Sequence, residues 1–422
     1  MRTYNNIDLV MWGNDNNYPK RVIEMAMQSP ELLALIDFMV TVLYGDGVGY
    51  EVYSGLDTKG THTWKPGFDP EVEDWLAMND IQNYFLELVM DQVWFNHGFT
   101  ELIKNKKSNY IAQVAHQEAA FCRFGKQNPA TGYNDMVYIN ANWPAASMYD
   151  ALTTPVPVLD TRDIYAAQRF LQSRKFKSVF PTNYPSPGSL IYQLPGWHAL
   201  FSSKWFDISK LIPILKHALM KFQMTIKYLM EVPEEFWKIQ ARDRNMSWET
   251  MTPVEKSNLK KLVKKEMDKF LTGAENTGKT LLTTFGWDKV NKVKIPGVSI
   301  TVLDDKLQDG KYIMDSKEAS GQFARAFTIP QPLMGPISAG DMGAGSGTDA
   351  RVHWNMLNAR MKSRKVRNLG ALNFVARCNQ WPTRMPGFRF YVKDIVMDTL
   401  DVNHSTSNPK QNSNPTNGNS DQ

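Results

Sequence analysis

The sequence predicts an α+β fold of long helices and short strands, and three observations carry that expectation. Several apolar stretches open on a cap residue followed by proline, and others close on glycine or proline, as helices do. Between them lie short β-branched and aromatic runs bounded by turn residues. Helices and strands do not alternate in the βαβ order of a parallel sheet. With 422 residues, 42% hydrophobic and 22% charged, the chain has the length of two or three domains and the composition of a packed protein.

Local signals set the order of elements. Ser29-Pro30 opens a helix whose body (Leu32, Leu33, Ile36, Met39, Val40, Leu43) is apolar on most sides, and Gly45-Asp46-Gly47 stops it. Such a helix belongs between neighbours. Residues 48–68 read as a hairpin or loop. Asp69-Pro70 repeats the cap-then-proline start, which predicts helices over 69–78 and 82–95 before His97-Gly98 breaks the pattern. FTELIKN, NYIAQVAHQ, FCRFGK and MVYIN read as strands. Residues 143–206 are rich in proline and aromatic residues, with SLIYQLP as a strand-like piece.

A long helix is expected over 207–230 (Leu211, Leu215, Leu219, Phe222, Ile226, Leu229), with Pro213 tolerable near its start. VPEEFWKIQAR reads as a loop and a strand. Thr252-Pro253-Val254-Glu255 is a capping box, and the helix behind it reaches about residue 271. Its apolar stripe (Leu259, Leu262, Val263, Met267, Phe270) lies opposite Lys261, Lys264, Lys265 and Asp268. KTLLTTFG and VSITVL read as strands, and a helix covers 305–327 until Ile329-Pro330-Gln331-Pro332 ends it. QPLMGPISAGDMGAGSG is a glycine-rich loop. A last long helix covers 349–378, and PGFRFYVKDI is a strand. The final 20 residues contain nothing apolar to bury and read as disordered.

Composition excludes several function classes. A formal charge of +5 is mild, so any nucleic-acid argument rests on local clusters. Cys122 and Cys378 are far apart, which suits neither a disulfide framework nor a zinc site and fits a reducing compartment. The longest apolar run, LLALIDFMVTVLY, is too short for a bilayer and contains Asp37, and the polar, interrupted start is unlike a signal peptide; a soluble chain is expected. GxSxG, HExxH, acidic metal clusters and dinucleotide fingerprints are absent. No enzymatic activity, cofactor or metal is therefore expected. His116 and His217 sit in apolar segments and read as core or interface histidines.

One motif points to nucleotide chemistry. GAENTGKT, residues 273–280, fits the phosphate-loop pattern Gly-x4-Gly-Lys-Thr. A phosphate loop follows a strand and opens a helix, whose free N–H groups and positive dipole end hold the phosphates. Here a capped amphipathic helix comes first and the strand-like LLTTFG comes after, so the segment reads as a turn at a helix C-terminus. ITVLDD, residues 300–305, resembles the strand and acidic pair that hold magnesium in nucleotide motors, and keeps a P-loop NTPase of a DNA-packaging or DNA-handling motor as the alternative. A second cluster, RMKSRKVR, carries Arg360, Lys362, Arg364, Lys365 and Arg367 on a helix. It could meet phosphates without sequence preference, or form a solvated or subunit-facing side; charge alone does not decide.

The order of these segments resembles the portal proteins of tailed bacteriophages, over nearly the whole folded chain. WGNDNNYP followed by SPELLALIDFMVTVLYGDGV is similar to the family's opening turn and helix. VMDQVWFNHGFTELIKN is similar to its helix-to-strand segment. SGQFARAFTIPQPLMG, ahead of a glycine-rich loop and a long helix, is the most specific piece. The resemblance implies an α+β portal fold with a wing at 1–205, stem helices at 206–231 and 306–330, and a clip at 232–305. A tunnel loop would span 331–348, a wing helix and C-terminal strand 349–402, and a disordered tail 403–422, with a short or absent crown.

It further implies a homo-oligomeric ring, usually of twelve subunits, at one capsid vertex of the virion, assembled in the host cytoplasm. Double-stranded DNA would pass through it, and its partners would be terminase, a head-tail adaptor and the major capsid protein, with no membrane. ATP hydrolysis would belong to terminase, leaving GAENTGKT a clip turn. The tunnel-loop residues Gln331, Met334, Ser338, Asp341, Met342 and Ser346 would face DNA. That loop has no lysine or arginine and one acid, Asp341, which suits a duplex that must slide. Arg360, Lys362, Arg364, Lys365 and Arg367 are candidate DNA or subunit contacts, and Lys261, Lys264 and Lys265 a basic face of the clip.

Overall fold

The computed structural model describes residues 9–106, 110–223, 228–272, 286–288, 293–295, 298–302, 309–334 and 347–395. The first elements are helices α1 (Tyr18–Ala26) and α2 (Pro30–Tyr44), strands β1 (Val48–Leu56) and β2 (His62–Pro66), helices α3 (Pro70–Met78) and α4 (Ile81–Phe95), and strands β3 (His97–Lys104) and β4 (Ile111–Gln117). Short strands β5 (Cys122–Phe124), β6 (Gln127–Asn128), β7 (Tyr133–Asn134), β8 (Met136–Ile139) and β9 (Thr154–Pro157) lead to α5 (Ala166–Gln172), β10 (Lys177–Asn183) and α6 (Ala199–Ser202). Next come α7 (Trp205–Gln223), β11 (Tyr228–Glu231), α8 (Glu234–Arg242), α9 (Pro253–Thr272), β12 (Gly286–Asp288), β13 (Val293–Ile295), β14 (Ser299–Val302) and α10 (Asp309–Ala326). Helices α11 (Gly347–Asn368), α12 (Gly370–Cys378) and α13 (Trp381–Arg384) and strand β15 (Arg389–Val392) follow. Helices beside small antiparallel sheets make this the α+β class that the sequence predicts. Contacts divide the chain into one unit of Met1–Ser209 with Asp315–Gln422 and a second of Lys210–Met314. Among the described residues no single helix is long and apolar enough to cross a membrane.

In the first unit the predicted caps form. Ser29 accepts from the Leu32 N–H at 3.3 Å, and Asp69 accepts from Glu71 and Val72 at 3.0 and 3.3 Å. Helices α2 and α4 bury most of their apolar residues in one core shared with the sheet β10-β3-β4. Pro181 is tolerated in that sheet because β10 is an edge strand. Strand β15 pairs antiparallel with β1, from Val48 opposite Val392 to Glu51 opposite Arg389, and so ties the C-terminal part of the unit to its N-terminal part.

Side-chain amides satisfy strand groups that no neighbouring strand reaches. Asn379 accepts from the Ile111 N–H at 2.8 Å and donates to the Ile111 carbonyl at 3.1 Å. Asn79 does the same for Val114 N–H and Ala112 carbonyl, and Gln82 for both backbone groups of Val48. Each carboxamide copies a peptide group and so blunts the outer edge of β4 or anchors the start of β1.

The segments that carried the family resemblance hold structural positions. Trp12 stacks on Tyr192 at 4.4 Å, and buried Arg123 clasps the opening turn by donating to the Asn16 side chain (2.6 Å) and carbonyl (3.1 Å). Helix α10 ends with Thr328 at a left-handed φ of 58° and an Ile329 N–H to Ala324 carbonyl bond of 3.0 Å, the wrap-around closure of a helix C-terminus. This turns Phe327 onto Trp197, stacked at 5.4 Å.

The second unit has a far smaller core. Ala241, Leu259 and Val263 are buried, with Phe236, Trp237, Trp248 and Met251 packed around them. The capping box of α9 forms: the Thr252 N–H donates to Glu255 at 2.7 Å and the Glu255 N–H returns to Thr252 at 3.4 Å. Strands β11 and β14 pair antiparallel, as do β12 and β13.

Five readings of the sequence need correction. VPEEFWKIQAR is mostly helix α8, because Glu234 and Glu235 complement its N-terminal dipole and its aromatic side packs on α9. The helix expected to reach 230 ends at Gln223 in α7, and Tyr228–Glu231 pair with β14 instead. SLIYQLP is no strand: its backbone groups go to side chains, Gln193 N–H to His97 Nε2 at 2.9 Å and Leu194 N–H to Ser186 at 2.9 Å. The helix of 349–378 is interrupted at Leu369 between α11 and α12. His217 is exposed on α7 and is no core residue, whereas His116 is buried and bonded to Asp91 at 2.9 Å.

Candidate functional site

Three places emerge from the sequence as candidate sites, and the structure treats them differently. Helix α11 carries the basic run. Its cations are near neighbours in sequence, yet a 3.6-residue turn sends them to different surroundings. Arg364 donates to the Asn96 side chain at 2.8 Å and lies 4.0 Å over the Tyr184 ring; burial lowers its pKa from the usual arginine value. Lys365 is buried and reaches Asp394 at 2.5 Å and Asn358 at 3.3 Å. Arg367 donates to the Asn183 carbonyl at 2.8 Å and its side chain at 3.0 Å. These three are corrected from candidate DNA or subunit contacts to internal ties between α11 and the β10 end, the α4 terminus and the segment after β15. Arg360 and Lys362 are exposed and have no partner among the described residues.

Helix α9 behaves in the opposite way. Lys256 and Lys260 lie over Trp248 and Trp237, and Glu266 is held by Arg244 at 2.8 Å. Lys261, Lys264 and Lys265, on the side opposite buried Leu259 and Val263, are exposed and have no partner among the described residues. Three unneutralised ammonium groups at i, i+3 and i+4 make a compact positive face.

Of the expected tunnel loop, Gln331 is exposed in a short turn, and Met334 is half-buried against the first unit's core. Ser338, Asp341, Met342 and Ser346 lie outside the described residues, as do GAENTGKT, the acidic pair Asp304-Asp305 and the tail 403–422. Helix α9 nevertheless runs to Thr272, directly before Gly273, where a phosphate loop needs a strand.

The sequence reading assigned no role to several buried polar groups. Among them His198 is the most constrained. Its Nε2 lies 2.9 Å from the Trp94 carbonyl, which only accepts, so Nε2 carries the proton and Nδ1 accepts from the Tyr18 hydroxyl at 2.7 Å. Burial pushes its pKa down to about 4. His97 likewise accepts at Nε2 from Gln193, and burial lowers its pKa to about 3. Both rings are neutral structural groups. Apolar context at 198 was the one available signal.

No family profile and no curated protein matches this sequence. The fold, however, is that of chains in phage-like particles. One, from the virion of a native gene transfer agent particle, superposes with a TM-score of 0.57 at 10% identity, over 91% of this chain and 85% of the other. A chain from the neck of the native particle, computed with C12 symmetry, gives 0.57 at 10% identity over 92% and 86%. A third, from the neck of the empty particle with C6 symmetry, gives 0.56 at 10% identity over 91% and 85%. The likeness covers almost the entire chain and falls on the head-to-tail region that the sequence resemblance indicated.

Proposed function

We propose that this chain is a portal protein: one subunit of a closed ring at a single vertex of a phage or phage-like capsid, through which double-stranded DNA is packaged and ejected. The observation that carries the proposal is the uncovered stripe on α7. Ile208, Leu211, Ile214 and Leu215 recur at helical spacing and stay exposed, three of them by more than 40%. A long helix with an apolar stripe open to water needs a partner. Head-to-tail copies related by a rotation that closes would cover it in every subunit alike. The C12 symmetry of the neck that contains a chain of this fold supports twelve copies.

In this reading the α9 lysine face and its surroundings form the docking end for terminase and the head-tail adaptor. Gln331 and the loop after it face the duplex as a passive guide, while the α11 side meets the capsid shell or packaged DNA through Arg360. The protein itself performs no catalysis; the nucleotide-motor alternative lacks the strand that must precede Gly273.

Negative-stain imaging and native mass spectrometry test the proposal. A ring with a central hole is expected, and Leu211→Asp with Leu215→Asp should reduce it to monomers. A monomer at tens of micromolar, or Lys279-dependent ATPase activity, would overturn it.

A further inference from the structure

A groove in the first unit lies between α11 and β15 and encloses about 670 Å³. Lys362, Lys365, Val366 and Leu369 line one side, and Phe390 and Val392 the other. Two of its cations are matched inside the groove wall: Lys365 by Asp394 at 2.5 Å and Arg389 by Glu51 at 2.5 Å. Lys362 is not, and Val366 beside it is 62% exposed. The groove therefore presents one unneutralised ammonium group and an apolar floor.

The chain itself reaches the end of this groove. Ile395 is a lining residue, and its carbonyl accepts from Trp354 Nε1 at 2.8 Å, which fixes the last described residue against α11. What comes next is Val396-Met397-Asp398-Thr399-Leu400-Asp401-Val402, and beyond Val402 no apolar residue occurs. This segment matches the groove in kind: aliphatic side chains interleaved with two carboxylates, against an aliphatic floor with one free ammonium.

We propose that residues 396–402 turn back at Met397-Asp398 and occupy the groove of their own chain, with Asp401 against Lys362 and Val402 against Val366. Distance permits it. Trp354 and Lys362 are eight residues apart on α11, or about 12 Å along the axis. A returning strand of four residues spans about 13 Å. The segment so placed clasps β15 onto α11, neutralises Lys362 and fixes the point from which the polar tail starts. Lys362 then has a partner in its own chain, and Arg360 is the cation of the basic run left open.

The test uses the full-length chain with Val366→Cys and Val402→Cys, joined by a short bis-maleimide; native Cys122 and Cys378 are buried. The expected product is an intrachain bridge between the two introduced sites, located by peptide mapping, with the same yield in dilute monomer and in any assembly. Lys362→Glu should slow bridging about five- to tenfold at low salt, and Asp401→Lys in that background should restore it. Lys362→Met should give an intermediate rate if the ion pair contributes. A ladder of interchain products would overturn the proposal by showing that another copy's segment fills the groove. Absence of bridging in a protein with an unchanged melting curve would overturn it as well.

Discussion

The basic faces of α11 and α9 read alike in sequence and differ in the folded chain. On α11, Arg364, Lys365 and Arg367 are committed to Asn96, Asp394 and Asn183 inside the first unit. On α9, Lys261, Lys264 and Lys265 face outward over a core of three buried residues. The difference follows from what each helix packs against. A helix laid across a large sheet-and-helix core brings its cations near carbonyls and amides that need donors. A helix with one narrow buried stripe leaves the opposite face to solvent or to a partner. Charge pattern alone therefore reports the presence of cations, and only packing reports their use.

The largest expected contrast is in the cores. Trp381 is fully buried and meets Trp75 edge-to-face at 5.2 Å. Trp381→Ala should destabilise the first unit by about 3–5 kcal/mol, and Leu259→Ala the second by about 2 kcal/mol, the low end for its size, because so small a cluster can collapse around the gap. Hydrogen exchange resolved by peptide reads the two units separately. Equal losses would remove the distinction between them.

Acid should act next, and on the first unit. Unfolded His198 takes its proton near pH 6.5, whereas the folded ring holds it off until about 4. Between those values the unfolded state binds the extra proton. Stability is thus full above about pH 6.5 and falls as pH drops toward 4, by about 3 kcal/mol from this ring alone. Urea melts at pH 7.5 and 4.5 should show the loss, and His198→Asn should flatten it. A slope unchanged in the variant would mean that His198 is charged in the fold.

Asp394 tests the committed face directly. Asp394→Ala leaves the buried Lys365 ammonium with Asn358 alone, and should cost about 1–3 kcal/mol; the carboxylate is 56% exposed, which keeps the loss below that of a fully buried pair. A melt indistinguishable from the parent protein would place Lys365 among the free cations.

Much of the fold was legible because its signals are local. Ser29-Pro30, Asp69-Pro70 and the box at Thr252 and Glu255 each open the helix expected of them. What escaped depends on partners distant in sequence. Tyr228–Glu231 became a strand through β14, some seventy residues later, and SLIYQLP lost its ladder to His97 and Ser186. The candidate site was legible only as composition. Nothing near Lys365 in sequence announces Asp394, and Met334 gives no local sign that it packs on the core.

The smallest effect on stability belongs to α9, and it is the sharpest test of the comparison. Lys261→Glu, Lys264→Glu and Lys265→Glu together remove no contact among the described residues. The stability change should stay within about 0.5–1 kcal/mol, mostly from charges placed unfavourably near the helix C-terminus. Ring formation should be unaffected, because the α7 stripe is untouched. Binding of the docking partner should weaken by tenfold or more at low salt and converge with the parent at high salt, as expected for a charged surface screened over about a Debye length. A variant that unfolds would show that α9 uses its lysines as α11 does. A variant that binds its partner normally would leave the α9 face a solvated surface and move the docking site elsewhere on the second unit.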